Sequence, residues 1–85
     1  MLRITRAENG EVVFSLSGRM DAENVGHMET LLSEESSDNI IVFDLKDLRL
    51  VDQDAVSFLR RCEAGGIRLR NCPAYIREWI DGERR

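Results

Sequence analysis

Four aspartates, Asp44, Asp47, Asp52 and Asp54, crowd one stretch of the chain. Carboxylates gathered in this way could hold a divalent cation or divide acid and base roles between them. Their spacing does not follow a calcium-loop pattern, and helix caps and turns built from short acidic side chains are the competing account. Other catalytic material is scarce. His27 is the only histidine, it lies between Gly26 and Met28 in a helical pattern, and no nucleophile motif pairs with it, so it reads as a surface histidine. Cys62 and Cys72 match neither a CxxC redox pair nor a zinc ligand set. Cys62 falls on an apolar helix face and reads as a small core residue, while Cys72 sits at a strand-to-helix junction where a thiol could be exposed. Gly65-Gly66 precedes a strand pattern and not a helix, which removes the phosphate-loop reading. An enzyme would have to be built from Asp44, Asp52 and Asp54 alone, with no second functional group to position a substrate. The expectation is a non-enzymatic protein without a cofactor.

The sharpest local feature is Leu50-Val51-Asp52-Gln53-Asp54-Ala55-Val56, where an apolar segment turns acidic and then helical. Upstream, Ile40-Ile41-Val42-Phe43 is an unbroken and mostly β-branched run, the pattern of a strand buried on both faces. Downstream, Ala55, Val56, Leu59 and Cys62 share one helical face. Asp52 therefore occupies an N-cap position, and Asp54 just inside the helix is favoured by the positive end of the macrodipole. A well-capped helix and a functional site both fit these residues. The phase of Val56, Leu59 and Cys62 turns Ser57 away from the core, so the exposed set expected at the helix start includes Asp52, Gln53, Asp54 and Ser57.

The elements that must position this junction follow from periodicity. Leu2 to Arg6 alternates, Glu8-Asn9-Gly10-Glu11 supplies a turn, and Val12, Phe14 and Leu16 share one face of a second strand. Asp21 can cap a helix in which Ala22, Val25, Met28 and Leu32 recur every three or four residues, ending near Ser36-Ser37-Asp38-Asn39. The second helix spans about Gln53 to Ala64 and stops at Gly65-Gly66. Ile67 to Arg70 alternates like an edge strand, and Pro73 opens a last helix with Ile76, Trp79 and Ile80 on its apolar face. The order predicts an α/β fold: a small mixed four-stranded sheet, antiparallel in its first hairpin and parallel afterwards, with three crossover or terminal helices. The third strand should be central and the first and fourth nearer the edges. The expected core comprises Phe14, Leu16, Val25, Met28, Leu32, Ile41, Phe43, Leu45, Val56, Leu59, Leu69, Ile76 and Trp79.

At 85 residues the chain makes one small domain, 1–85, and its 42% hydrophobic and 33% charged content suits a globular protein. No apolar run reaches the ~20 residues that span a bilayer, and the start lacks the apolar core of a secretion signal. A cytoplasmic, non-membrane-spanning protein is expected. The net charge of -4 argues against generic nucleic-acid binding, which draws on basic patches. From Met20 to Asn39 there is no Lys or Arg, whereas Arg60, Arg61, Arg68, Arg70, Arg77, Arg84 and Arg85 come later among interspersed acids. An acidic helix beside an Arg-rich flank suits protein partners better than DNA.

The element order and three junctions resemble the STAS family, the sulfate-transporter and anti-sigma-factor-antagonist domain. The residues that carry the resemblance are Phe14 to Asp21, Ile41 to Leu45 with Leu48 to Asp52, and Gly66 to Pro73. It implies a binding module that docks another protein around the start of the second helix, at Asp52, Gln53, Asp54, Ala55 and Ser57. In the antagonists this loop reads Asp-Ser-Ser/Thr-Gly, and a partner that is both serine kinase and anti-sigma factor phosphorylates the second hydroxyl residue. Here Asp54 stands at the phosphoacceptor position and Ala55 at the glycine. Asp54 has no hydroxyl to accept phosphate, and its single charge matches a phosphoserine only in part. The resemblance therefore implies a regulator with a fixed charge, or one rewired for a partner indifferent to phosphorylation. A soluble subunit regulating the ATPase of an ABC-type transporter is the alternative.

Overall fold

A computed structural model of the chain describes residues 1–83. Arg84 and Arg85, the last members of the expected Arg-rich flank, lie outside the described residues. The elements run β1 (Leu2–Glu8), β2 (Val12–Met20), α1 (Ala22–Ser33), β3 (Ile41–Val51), α2 (Gln53–Ala64), β4 (Arg68–Arg70) and α3 (Ala74–Gly82). The sheet order is β1-β2-β3-β4, with β1 antiparallel to β2 and the other pairs parallel. The α/β architecture read from the sequence is thus the one observed, with β3 inside the sheet and β1 and β4 at its edges.

One face of the sheet carries the core. Val12, Phe14, Leu16 and Met20 of β2 and Phe43, Leu45 and Leu48 of β3 are buried there. They pack in one cluster with Met28 of α1, with Ala55, Val56, Phe58, Leu59 and Cys62 of α2, and with Ile76 and Ile80 of α3. Phe43 lies at the centre, edge-on to Phe14 at 6.1 Å and stacked with Phe58 at 6.3 Å. The opposite face bears the exposed Arg3, Thr5, Ser15, Arg68 and Arg70. Val42 is the exception there: it is buried on that second face and stands outside the main cluster.

The expectation of a third strand that is apolar and buried on both faces needs correction. The strand continues to Val51, and its pairing with β2 shifts register between Ser15 and Ser17 and again between Gly18 and Arg19. Each shift inserts one extra residue into β3, a bulge that turns the following side chains over. Leu48 and Val51 thereby reach the core side, while Asp47 and Leu50 are left in solvent. Strict alternation would have put Asp47 inside.

Two further expectations also change. The first helix stops at Ser33, short of Ser36 to Asn39. Trp79 was expected in the core but is 37% exposed, because Ile76 and Ile80 centre the buried stripe of α3 and Trp79 falls on its flank. Val25, Leu32, Ile41 and Leu69 are partly buried against the core and do not lie within it.

Candidate functional site

Strands β2 and β3 end side by side, and each hands the chain to a helix through an aspartate. Asp21 caps α1, accepting from the amides of Glu23 at 3.1 Å and Asn24 at 3.4 Å. The Asn24 side chain returns the contact by accepting from the Asp21 amide at 2.9 Å, which closes a capping box. Asp52 caps α2, with Oδ1 accepting from the Ala55 amide at 2.9 Å. Its Oδ2 reaches across to the Ala22 amide at 3.2 Å, and its own amide donates to Met20 O at 3.3 Å. One carboxylate thus ties the starts of α1 and α2 together.

Gly18 fixes how β2 reaches this junction. Its φ is +96°, and a Cβ at this position would sit 2.5 Å from the Met1 carbonyl oxygen. Only glycine adopts that backbone freely while another chain segment lies so close.

The residues expected at the site fall into three groups. Gln53 and Asp54 are exposed on the first turn of α2, and Asp54 takes part in none of the ion pairs among the described residues. Asp52 and Ser57 are half-buried, engaged in hydrogen bonds. Ala55 is fully buried and packs in the core, so it is not part of an exposed patch. The helix phase that buries Val56 and Leu59 also takes in Ala55, which leaves Asp54 projecting from the rim.

Glu83, at the C-cap of α3, belongs to this site although no sequence motif points to it. Its Oε1 accepts from Ser57 Oγ at 2.6 Å, and its Oε2 accepts from the Gln53 side-chain amide. These two donors, Ser57 foremost, hold its carboxyl below the ordinary glutamate range, with the positive charge of Arg60 adding to the effect. No local motif announces the contact, because Gln53 and Glu83 meet only through the antiparallel packing of α3 on α2. Nearer the start of α3, Arg77 binds both oxygens of Glu63 at 2.8 and 2.7 Å and Asp81 at 2.9 Å.

The aspartate cluster that suggested metal or acid/base chemistry is not assembled. Asp44 lies far down β3, where its carboxylate accepts from Asn71 at 3.3 Å and from the Lys46 amide at 3.1 Å. Asp52 and Asp54 stand past the end of the same strand. Among the described residues no group of three or more His, Cys, Asp or Glu side chains converges to hold a metal ion. His27 is exposed on α1, as its setting suggested. Cys62 is buried in the core, and burial pushes its thiol up to about 12. Cys72 is half-buried, its thiol also raised by burial.

Leu50, Tyr75 and Trp79 are exposed large apolar side chains, Leu50 just before Asp52 and Trp79 one helical turn before Glu83. The Tyr75 hydroxyl donates to Arg49 O, on the part of β3 beyond its pairing with β4. A depression of about 550 Å³ lies elsewhere, between the end of α1 and Gly65-Gly66, and is lined by Leu32, Ser36, Ile40 and Gly66 among others. No helix among the described residues is long and apolar enough to cross a membrane. Comparison with known proteins gives no matching family model and no matching curated protein.

Proposed function

We propose that this chain is a non-enzymatic, protein-binding regulatory module of the STAS type, resembling an anti-sigma-factor antagonist, whose partner docks on the start of α2. The observation that carries this reading is the geometry at the paired helix starts. Asp52 is consumed in capping both of them, whereas Asp54 two residues later is exposed and unpaired among the described residues. Capping accounts for Asp52, while the helix dipole favours an acid at Asp54 and leaves its carboxylate open to a partner. In this reading Asp54 presents a permanent negative charge where related loops present a switchable serine or threonine, and the neighbouring exposed Leu50 and Trp79 supply apolar contact area. The partner is an anti-sigma factor of the serine-kinase type, in the cytoplasm.

Three variants test it, two of them against the protein recovered by affinity capture from the native host. Calorimetry at matched salt should show weaker binding by Gln53→Ala/Asp54→Ala, and a different affinity for Asp54→Ser, which lacks the charge. Asp54→Ser/Ala55→Gly should also become a substrate for a matching serine kinase, whereas the native chain is not phosphorylated there. Equal affinity for all three proteins would show that Asp54 only decorates a helix end. A recovered partner with the sequence of a transporter ATPase would move the same docking surface to the second family role.

A further inference from the structure

We propose that Gln53, Ser57 and Arg60 form a carboxylate-binding subsite on α2, filled in cis by Glu83, and that an acidic side chain of the docking partner takes its place. This rests on the docking reading above and adds the chemistry and control of the contact. The three residues recur at i, i+4 and i+7, so they line one flank of the helix. Asp54 lies roughly 100° round the helix from Gln53 and is turned away from that flank.

Two of the three donors are already engaged on a carboxylate. Ser57 and the Gln53 amide both donate to Glu83. The third is unused: Arg60 Nε is closed off from solvent and has no hydrogen-bond partner, the one buried side-chain N or O atom among the described residues in that condition. Its guanidinium still acts on Glu83 through its charge. A buried, unsatisfied guanidinium N–H is costly, and a carboxylate placed closer to Arg60 would recover that loss with a charge-assisted bond. Glu83 does not supply it, since its two oxygens are held by Ser57 and Gln53.

Exchange disturbs little else. Glu83 is the cap residue of α3, and its own amide donates to Trp79 O at 3.1 Å and Ile80 O at 3.2 Å, bonds of a last turn that opens readily. The body of α3 stays in place through buried Ile76 and Ile80 and through Arg77 on Glu63. The cis contact therefore acts as a competitor that a partner must displace, which sets a threshold for docking.

The test uses the full chain with two probes, sodium acetate and a short acetylated helical peptide ending in glutamates, read beside its glutamine counterpart. Glu83→Ala opens the subsite, and Glu83→Ala/Ser57→Ala/Arg60→Ala removes it. At constant ionic strength and pH 7, acetate at its Kd should raise the melting midpoint of Glu83→Ala by about 2–3 °C over chloride. The native chain and the triple variant should show no such gain. The glutamate peptide, followed through the emission of Trp79, the only tryptophan, should bind Glu83→Ala at least tenfold more tightly than the native chain, and the glutamine peptide should bind neither. No acetate-specific gain, or equal peptide affinity for native and Glu83→Ala proteins, overturns the subsite whatever Gln53→Ala/Asp54→Ala does to partner binding. Unchanged partner affinity in that double variant overturns the docking reading and the exchange with it, even where acetate rescue holds.

Discussion

Asp52 accepts backbone amides from two different helices, and that double duty makes it the most connected residue of the site. An N-cap aspartate normally satisfies donors of its own helix, and replacing one by alanine costs about 0.5–2 kcal/mol. Here the Ala22 amide loses its acceptor as well, so Asp52→Ala should fall at the upper end, about 2 kcal/mol, measured by urea denaturation. Asp52→Asn keeps an acceptor oxygen and should lose less. A loss under about 0.5 kcal/mol for Asp52→Ala would mean that water replaces both contacts and that the two helix starts are not coupled through this side chain. Asp54, two residues on, stands outside this network. The two aspartates share a motif and differ in role because one points back along the helix axis and the other outward.

At the scale of elements, α3 is fastened to α2 at both ends by different chemistry. Arg77 and Glu63 form a two-pronged ion pair near the start of α3, and Glu83 meets the neutral donors Ser57 and Gln53 at its end. The second fastening is sensitive to acid. Ser57, then Gln53, lower the folded-state value of Glu83, so the carboxylate form is the one bound. Its stabilisation is complete above the ordinary value of 4.5 and is lost as pH falls through the lower value of the folded chain. Acid titration followed by Trp79, one helical turn from Glu83, should therefore show a change below pH 4.5 that Glu83→Gln abolishes. Glu35, lowered by its bond to Arg6, titrates in the same direction at the other side of the fold. Glu35→Gln should leave the Trp79 response intact, and its disappearance in that variant would assign the transition to general acid unfolding.

For the molecule as a whole, stability depends on one cluster behind a single face of the sheet, with Phe43 as its centre. Phe43 is fully buried and touches aromatic partners in both layers, Phe14 in the sheet and Phe58 in α2. Truncation of a core phenylalanine costs about 3–5 kcal/mol, a large share of the 5–15 kcal/mol that holds a typical domain together. Phe43→Ala should accordingly unfold at much lower denaturant or fail to fold. A small change in midpoint would contradict the central place of β3. The same cluster is what keeps the paired helix starts rigid, since β2, β3, α1 and α2 all contribute to it.

Periodicity and capping signals within a few residues set the order of elements, both aspartate caps and the span of α2, and the crossover connections between those elements set the strand directions. The sequence also marked Asp52, Gln53, Asp54 and Ser57 as the start of a helix whose other face is buried. Where β3 ends depended on two bulges that pairing with β2 imposes, and no window along Asp44 to Leu50 contains that partner strand. The burial of Ala55 was already legible in the helical face it shares with Val56, Leu59 and Cys62, whereas the partial exposure of Trp79 was decided by how neighbouring elements approach the flank of α3. The meeting of Glu83 with Gln53 and Ser57 lay furthest from local reading. It joins residues 30 and 26 positions apart through helix packing, and only the tertiary structure could place that carboxylate on the start of α2.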